Sequence, residues 1–220
     1  MVGYELPLSE EWSAVPAELP DVEAWADQEA ARMIARSGRS VEPANTANLP
    51  FAHESEGRAV IDVRDLLARQ LVGIVESVRE MRMAGVRTLV LARRPDVGTV
   101  DAMATVTTHR GVSPEVYTRE IEDQVRESED QDYLFTQLIE THVPGGTVRG
   151  AHMLLGHVDP TLGYEMAHLE ERVTLGIFPE GSPDMVEVTA IASSVSVFAD
   201  MPQTMIDLVS DLEVTLGAAA

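Results

Sequence analysis

From residue 86 to residue 198 the chain is dominated by runs in which apolar and polar residues alternate, punctuated by clusters of turn-forming residues. Val86 to Ala92 and Thr99 to His109 read as strands joined across Arg93-Arg94-Pro95-Asp96. Leu134 to Val143 and Val148 to Val158 are separated by Pro144-Gly145-Gly146-Thr147, and Ala167 to Phe178 and Met185 to Phe198 by Pro179-Glu180-Gly181-Ser182-Pro183. Side chains in a strand alternate between two faces, so each run offers one face to a core. Short turns pair neighbouring runs as hairpins, and no strand-helix-strand alternation is sustained. The expected fold class is therefore α+β, one domain over 1–220 with a mainly antiparallel sheet of about six to seven strands and about four packing helices.

The helices announce themselves by apolar spacing and by their ends. Asp21 is an N-cap, Val22, Ala26, Ala30, Met33 and Ile34 share a face, and Gly38 supplies the stop. A second helix runs from about Val60 to Ala84, with Val63, Leu67, Leu71, Ile74, Val78 and Met81 at steps of three and four and Gly85 as terminator. Leu66, Val72 and Val75 widen its stripe enough for two neighbours. Ser113-Pro114-Glu115 opens a third helix with Tyr117, Ile121 and Val125 on its apolar side. Asp200 and Pro202 open a fourth, whose face comprises Met205, Leu208, Val209, Leu212 and Leu216. Tyr4 to Leu8 and Trp12 to Val15 suggest an edge strand broken by Pro7. Residues 39–58 carry two prolines and no periodicity, and are expected to form a mobile loop.

Two absences remove whole classes of chemistry. The 220 residues include no cysteine and no lysine, so every one of the 16 basic residues is an arginine. A thiol nucleophile, a disulfide, a thiolate zinc site, a Schiff base and a P-loop lysine are all excluded. Against those arginines stand 37 acids, a formal charge of -21, which repels nucleic acid and anionic membranes. The charge is uneven. Residues 1–60 hold 11 acids and 4 arginines, residues 61–126 hold 10 of each, and residues 127–220 hold 16 acids and 2 arginines. The central arginines are expected to pair locally or with acids of the last third, leaving one acidic surface. The opening MVGYELPLSEEW lacks a basic segment and a signal-length apolar run, and no stretch of the chain is apolar enough to span a bilayer, so a cytoplasmic location is expected.

Candidate sites are sparse. His142, His152 and His157 lie on one hairpin; with Val143 facing Val148, His142 would oppose Arg149 and His152 would oppose Ile139. No HxH, HxxxH or HExxH pair occurs, and no metal site, cofactor or catalytic residue is expected. GxSxG and GxGxxG are absent. Asp159 with Glu165, and Glu170 with Glu171, are carboxylate pairs that 37 acids would produce by chance, and neighbours on a strand point apart. Gly145-Gly146 with Arg149 and Gly150 lacks the helix N-terminus that makes a phosphate cradle. Arg93-Arg94 is the one local basic cluster, suited to a solvated turn or to an acidic ligand. Trp12 and Trp25 read as core anchors.

The opening YELPLSEEW, the segment DVEAWADQEAARM, the long arginine- and leucine-rich helix and the closing MPQTMIDLVSDLEVTL together resemble a family of small acidic proteins from high-GC bacteria without an assigned activity. The layout is also similar to PsbP-type antiparallel domains, a resemblance that implies a non-catalytic binding role. The expected function is a non-enzymatic, cytoplasmic protein-interaction or assembly-associated domain. Its partner is a protein, of basic character, met by an acidic surface whose candidate residues are Glu127, Glu129, Asp130 and Asp132, or by a sheet edge. The alternative is a small-ligand-binding domain or a hydrolase with no recognisable motif. A deep pocket lined by histidine and carboxylate would favour the alternative; a flat apolar patch beside acidic residues would favour interaction.

Overall fold

A computed structural model describes residues 2–16, 18–38, 62–80, 85–127, 132–158 and 167–216. The expected mobile loop at 39–58, and Asp159 with Glu165, lie outside the described residues. The strands are β1 (Val2–Glu5), β2 (Trp12–Val15), β3 (Arg87–Leu91), β4 (Ala102–Arg110), β5 (Asp132–Val143), β6 (Gly146–Val158), β7 (Ala167–Phe178), β8 (Asp184–Ala192) and β9 (Glu213–Leu216). The helices are α1 (Val22–Ser37), α2 (Val63–Glu80), α3 (Pro114–Glu127) and α4 (Met201–Ser210). Seven strands form one sheet in the order β2-β3-β4-β8-β7-β6-β5, every pair antiparallel, and β1 pairs with β9 in a small second sheet. The architecture is α+β, as the alternating runs predict.

Register and alternation divide the large sheet into two unlike faces. The first carries Leu89, Leu91, Ala104, Val106, Val148, Val173, Leu175, Ile177, Val188 and Ala190, all buried in one continuous core. Met201, Met205, Leu208 and Val209 of α4 cover it, together with Val2 and Leu6 from the start of the chain. The second face is split. Val15 and Val90 pack under α1 and α2 with Ala26, Ala30, Met33, Leu67, Leu71 and Val75. Ala151, Met153, Leu155, Phe178 and Met185 pack under Tyr117 and Ile121 of α3.

Between those two clusters runs a row of threonines. Thr88 faces Thr105, Thr105 faces Thr189, and Thr189 faces Thr174, one per strand across β3, β4, β8 and β7. Thr174 Oγ1 lies 2.8 Å from Thr189 Oγ1 and 3.1 Å from the Tyr117 hydroxyl, tying α3 to the sheet. Burial, with the nearby Glu187 carboxylate adding to it, pushes the Tyr117 phenol well above its ordinary range, so the ring keeps its proton.

Capping fixes the helix ends where the sequence places them. Asp21 accepts the Ala24 N–H at 2.9 Å, and Gly38 takes the left-handed φ of 63° that closes α1. Ser113 caps α3 by accepting the Val116 N–H at 3.3 Å, and Asp200 caps α4 through the Gln203 N–H at 3.0 Å. Buried Glu29 on α1 holds Arg32 at 2.6 Å, a hydrogen bond that raises the Arg32 guanidinium's affinity for its proton.

Three expectations are corrected. The segment read as one edge strand broken by Pro7 is two strands in different sheets: β1 meets β9, and β2 flanks β3. The fourth helix ends at Ser210 rather than carrying Leu216 on its face. Glu213–Leu216 extends instead, because β1 offers its backbone a partner, with Val2 opposite Leu216 and Tyr4 opposite Val214. In the β5–β6 hairpin the turn is Pro144-Gly145 alone, so Val143 faces Gly146, His142 faces Thr147 and His152 faces Gln137. Of the central arginines, Arg126 pairs locally with Asp123, while Arg64 reaches Asp27 and Arg93 reaches Glu11 in the first third.

Candidate interaction surface

The sheet has two edges, and β5 is the longer by eight residues, with 12 against the 4 of β2. Its hydrogen bonds go to β6 alone among the described strands, which leaves one side of its backbone available for pairing. A bulge between Tyr133 and Phe135 shifts the register there, so Leu134 is pushed outward. Leu134 is 63% exposed, Phe135 42% and Leu138 46%, with Leu169 of β7 also exposed. Phe135 and Leu138, three residues apart, point to opposite faces of the sheet, so a strip of exposed apolar side chains flanks the open edge on both sides.

Beneath that strip lies a polar pair in the core-facing row. Glu171 shares its parity on β7 with Val173, Leu175 and Ile177, and therefore points to the first face. His152 points the same way from β6, and its Nε2 lies 2.9 Å from Glu171 Oε1. Their side chains are 15% and 9% exposed. Phe135 covers the imidazole edge-to-face at a centroid distance of 5.5 Å. The second carboxylate oxygen of Glu171 is buried and has no hydrogen-bond partner among the described residues. Such an atom is costly to bury, and the His152 contact to the other oxygen offsets part of that cost. Glu170, one residue earlier, points to the opposite face and binds Arg172 at 2.6 Å.

The candidate acids are placed only in part. Glu127 ends α3 and Asp132 begins β5, opposite Gly156, so the two flank the strip's lower end along the chain. Glu129 and Asp130 fall between them, outside the described residues. His142 lies 3.3 Å from the Thr147 hydroxyl, while Arg149 pairs with Glu140 across the hairpin. Gly145-Gly146 is a packed turn: a Cβ at Gly146 would lie 2.1 Å from the Phe178 carbonyl. Trp12 is buried in the large core and Trp25 packs against the α1–α2 cluster, as anchors. No set of three or more metal-ligating side chains converges among the described residues, and no described helix is long and apolar enough to cross a membrane.

In the sequence His152 is read among the hairpin histidines and Glu171 beside Glu170, and not as partners, although parity marks them. Both fall on the alternation that carries Val148 and Leu154 in β6, and Val173 and Leu175 in β7. A polar residue on a core parity is a sign of a buried partner.

No family model matches the chain, and no curated protein matches it. Among solved structures, LpqN of Mycobacterium tuberculosis, described as involved in cell envelope biogenesis, is similar at 10% identity and a TM-score of 0.41. The alignment covers 98% of this chain and 85% of that one. Likeness of that order fixes neither fold nor function.

Proposed function

We propose that this is a non-enzymatic protein-interaction domain that receives an extended segment of a basic partner along the outer edge of β5. The observation that carries the reading is the exposed strip Leu134, Phe135 and Leu138 on a 12-residue strand at the end of the sheet. Backbone pairing at an edge gives affinity, and alternate side chains give specificity. The charge supports a basic partner, because residues 127–220 carry 16 acids against 2 arginines, with Glu127, Glu129, Asp130 and Asp132 next to the strip in sequence. A cytoplasmic setting goes with this reading, in which a cysteine-free chain meets its partner without disulfide chemistry.

The test uses two synthetic peptides, one alternating valine with arginine and one alternating valine with glutamate, titrated into the full chain. The basic peptide should perturb backbone amides of residues 133–143. Its association should slow as salt rises to physiological strength, where the screening length falls to about 8 Å. Replacing Leu134 and Leu138 by serine should weaken it by about tenfold. Neutralising Glu129, Asp130 and Asp132 together should lower the association rate. Equal binding of both peptides, or indifference to the leucine change, rejects the edge as the interaction site.

A further inference from the structure

On the other side of the molecule, the end of the β3–β4 hairpin and the loop after β8 enclose a cleft of about 910 Å³. Its walls bring together Arg36, Arg93 and Arg94 with Ser193, Ser194 and Ser196. In a chain of charge -21, three guanidiniums matched by only three carboxylates make this concavity formally neutral, far less acidic than the protein as a whole.

The arginines are not simply absorbed by neighbouring acids. Arg36 donates to Ser13 Oγ at 3.1 Å and to the Glu10 carbonyl, and its ion pair with buried Glu29 is long, at 4.0 Å. Arg93 lies 4.8 Å from the Phe198 ring centroid, a cation–π contact that holds its plane. Its ion pair to Glu11 is 3.8 Å long with both side chains exposed, the kind of pair that contributes little and yields to a competitor. Arg94 is exposed and makes no ion pair among the described residues.

Asp101, the third acid of the lining besides Glu10 and Glu11, has a structural job. Buried at the start of β4, it accepts the backbone N–H groups of Arg93 and Arg94 at 2.7 and 3.2 Å. Its own N–H bonds the Leu91 carbonyl at 2.8 Å, and its carbonyl accepts the Ser193 N–H at 3.1 Å. One residue thereby locks the hairpin that carries the arginines to the loop that carries the serines. A site whose charged groups are pre-set in this way loses less on binding than one that must assemble.

We propose that this cleft binds a small organic anion, its carboxylate or phosphate group seated between the guanidiniums of Arg93 and Arg94 and the hydroxyls of Ser194 and Ser196. Guanidinium forks match both oxyanions. The volume suits a metabolite-sized ligand, and Met33 and Val197 supply apolar wall for its carbon skeleton. The site is separate from the β5 edge, so either can fail without the other.

Calorimetric titration of the full chain with citrate, with inorganic phosphate and with uncharged sucrose tests the assignment. Saturable binding of citrate or of phosphate, and none of sucrose, is expected; which anion binds names the headgroup. Arg94→Gln should weaken that binding by about tenfold, the loss of one charge-assisted pair. Arg69→Gln, on the exposed side of α2, should leave it unchanged. The melting temperature of each variant checks that the fold is kept. Failure of both anions to bind, or equal effects of the Arg94 and Arg69 substitutions, overturns the proposal.

Discussion

Leu71→Asp should destroy the cooperative thermal transition of the wild-type protein. Leu71 is fully buried at the centre of the α1–α2 cluster, among Ala26, Ala30, Met33, Leu67, Val75 and Val90. The substitution removes a leucine's burial, worth about 2–3 kcal/mol, and adds the cost of a carboxylate with no hydrogen-bond partner nearby. Domains of this kind have only about 5–15 kcal/mol in total, so the folded state loses most of its margin. Arg94→Ala is the comparator. Its side chain is exposed and changes stability by less than about 0.5 kcal/mol. Circular dichroism melts read both, and equal melting temperatures for Leu71→Asp and wild type would mean that the apolar stripe of α2 faces elsewhere.

Glycine-to-alanine exchange should have opposite signs at two positions. At Gly150, in β6, a Cβ would sit 2.0 Å from the Thr174 carbonyl oxygen and 3.0 Å from the Leu175 Cα, both backbone atoms of β7. Relief requires β6 and β7 to move apart inside the sheet, and the expected loss is about 3 kcal/mol. At Gly73, in the middle of α2, a Cβ meets nothing within 4 Å. Alanine there removes unfolded-state freedom and should stabilise by about 0.5–1 kcal/mol. Denaturant titration of the two variants gives the difference; a raised midpoint for Gly150→Ala would contradict the strand contact there, and a lowered one for Gly73→Ala the open space on α2.

Local signals were the readable ones. Asp21 and Gly38 bracket α1 because a cap is a matter of a few residues, and the stripe of α2 reports a core without saying which strands provide it. β9 escaped because Leu212 and Leu216 keep helical spacing and no glycine or proline marks Ser210-Asp211 as an end. What decides it is β1, at the far end of the chain, and no window of sequence contains both. The hairpin register slipped by two residues for a different reason: Pro144-Gly145-Gly146-Thr147 accommodates a longer or a shorter turn, and a slip of two leaves every side chain on its proper face. That is why parity still identifies His152 and Glu171 as core-facing, while their meeting depends on the β6–β7 register, which only the tertiary structure supplies. The arginine cleft is similar. Arg93-Arg94 is visible as a doublet, but Arg36 comes to it from α1 and the serines from the loop after β8, both distant in sequence.

The clasp between β1 and β9 has a consequence for biosynthesis. β1 is the first strand of the fold to leave the ribosome and β9 is the last, yet each is the other's partner, and Val2 also bonds its N–H to Asp184 at 3.2 Å. Throughout elongation the nascent chain therefore carries an unmated β1, whose Val2 is buried only in the finished fold. The seven-stranded sheet has the chain it needs once β8 has emerged, but the small sheet waits for Glu213 to Leu216. A chain released after α4 but before Glu213 has every strand and the covering helix of the central sheet and presents a free edge at β1, the kind of surface that holdase chaperones recognise.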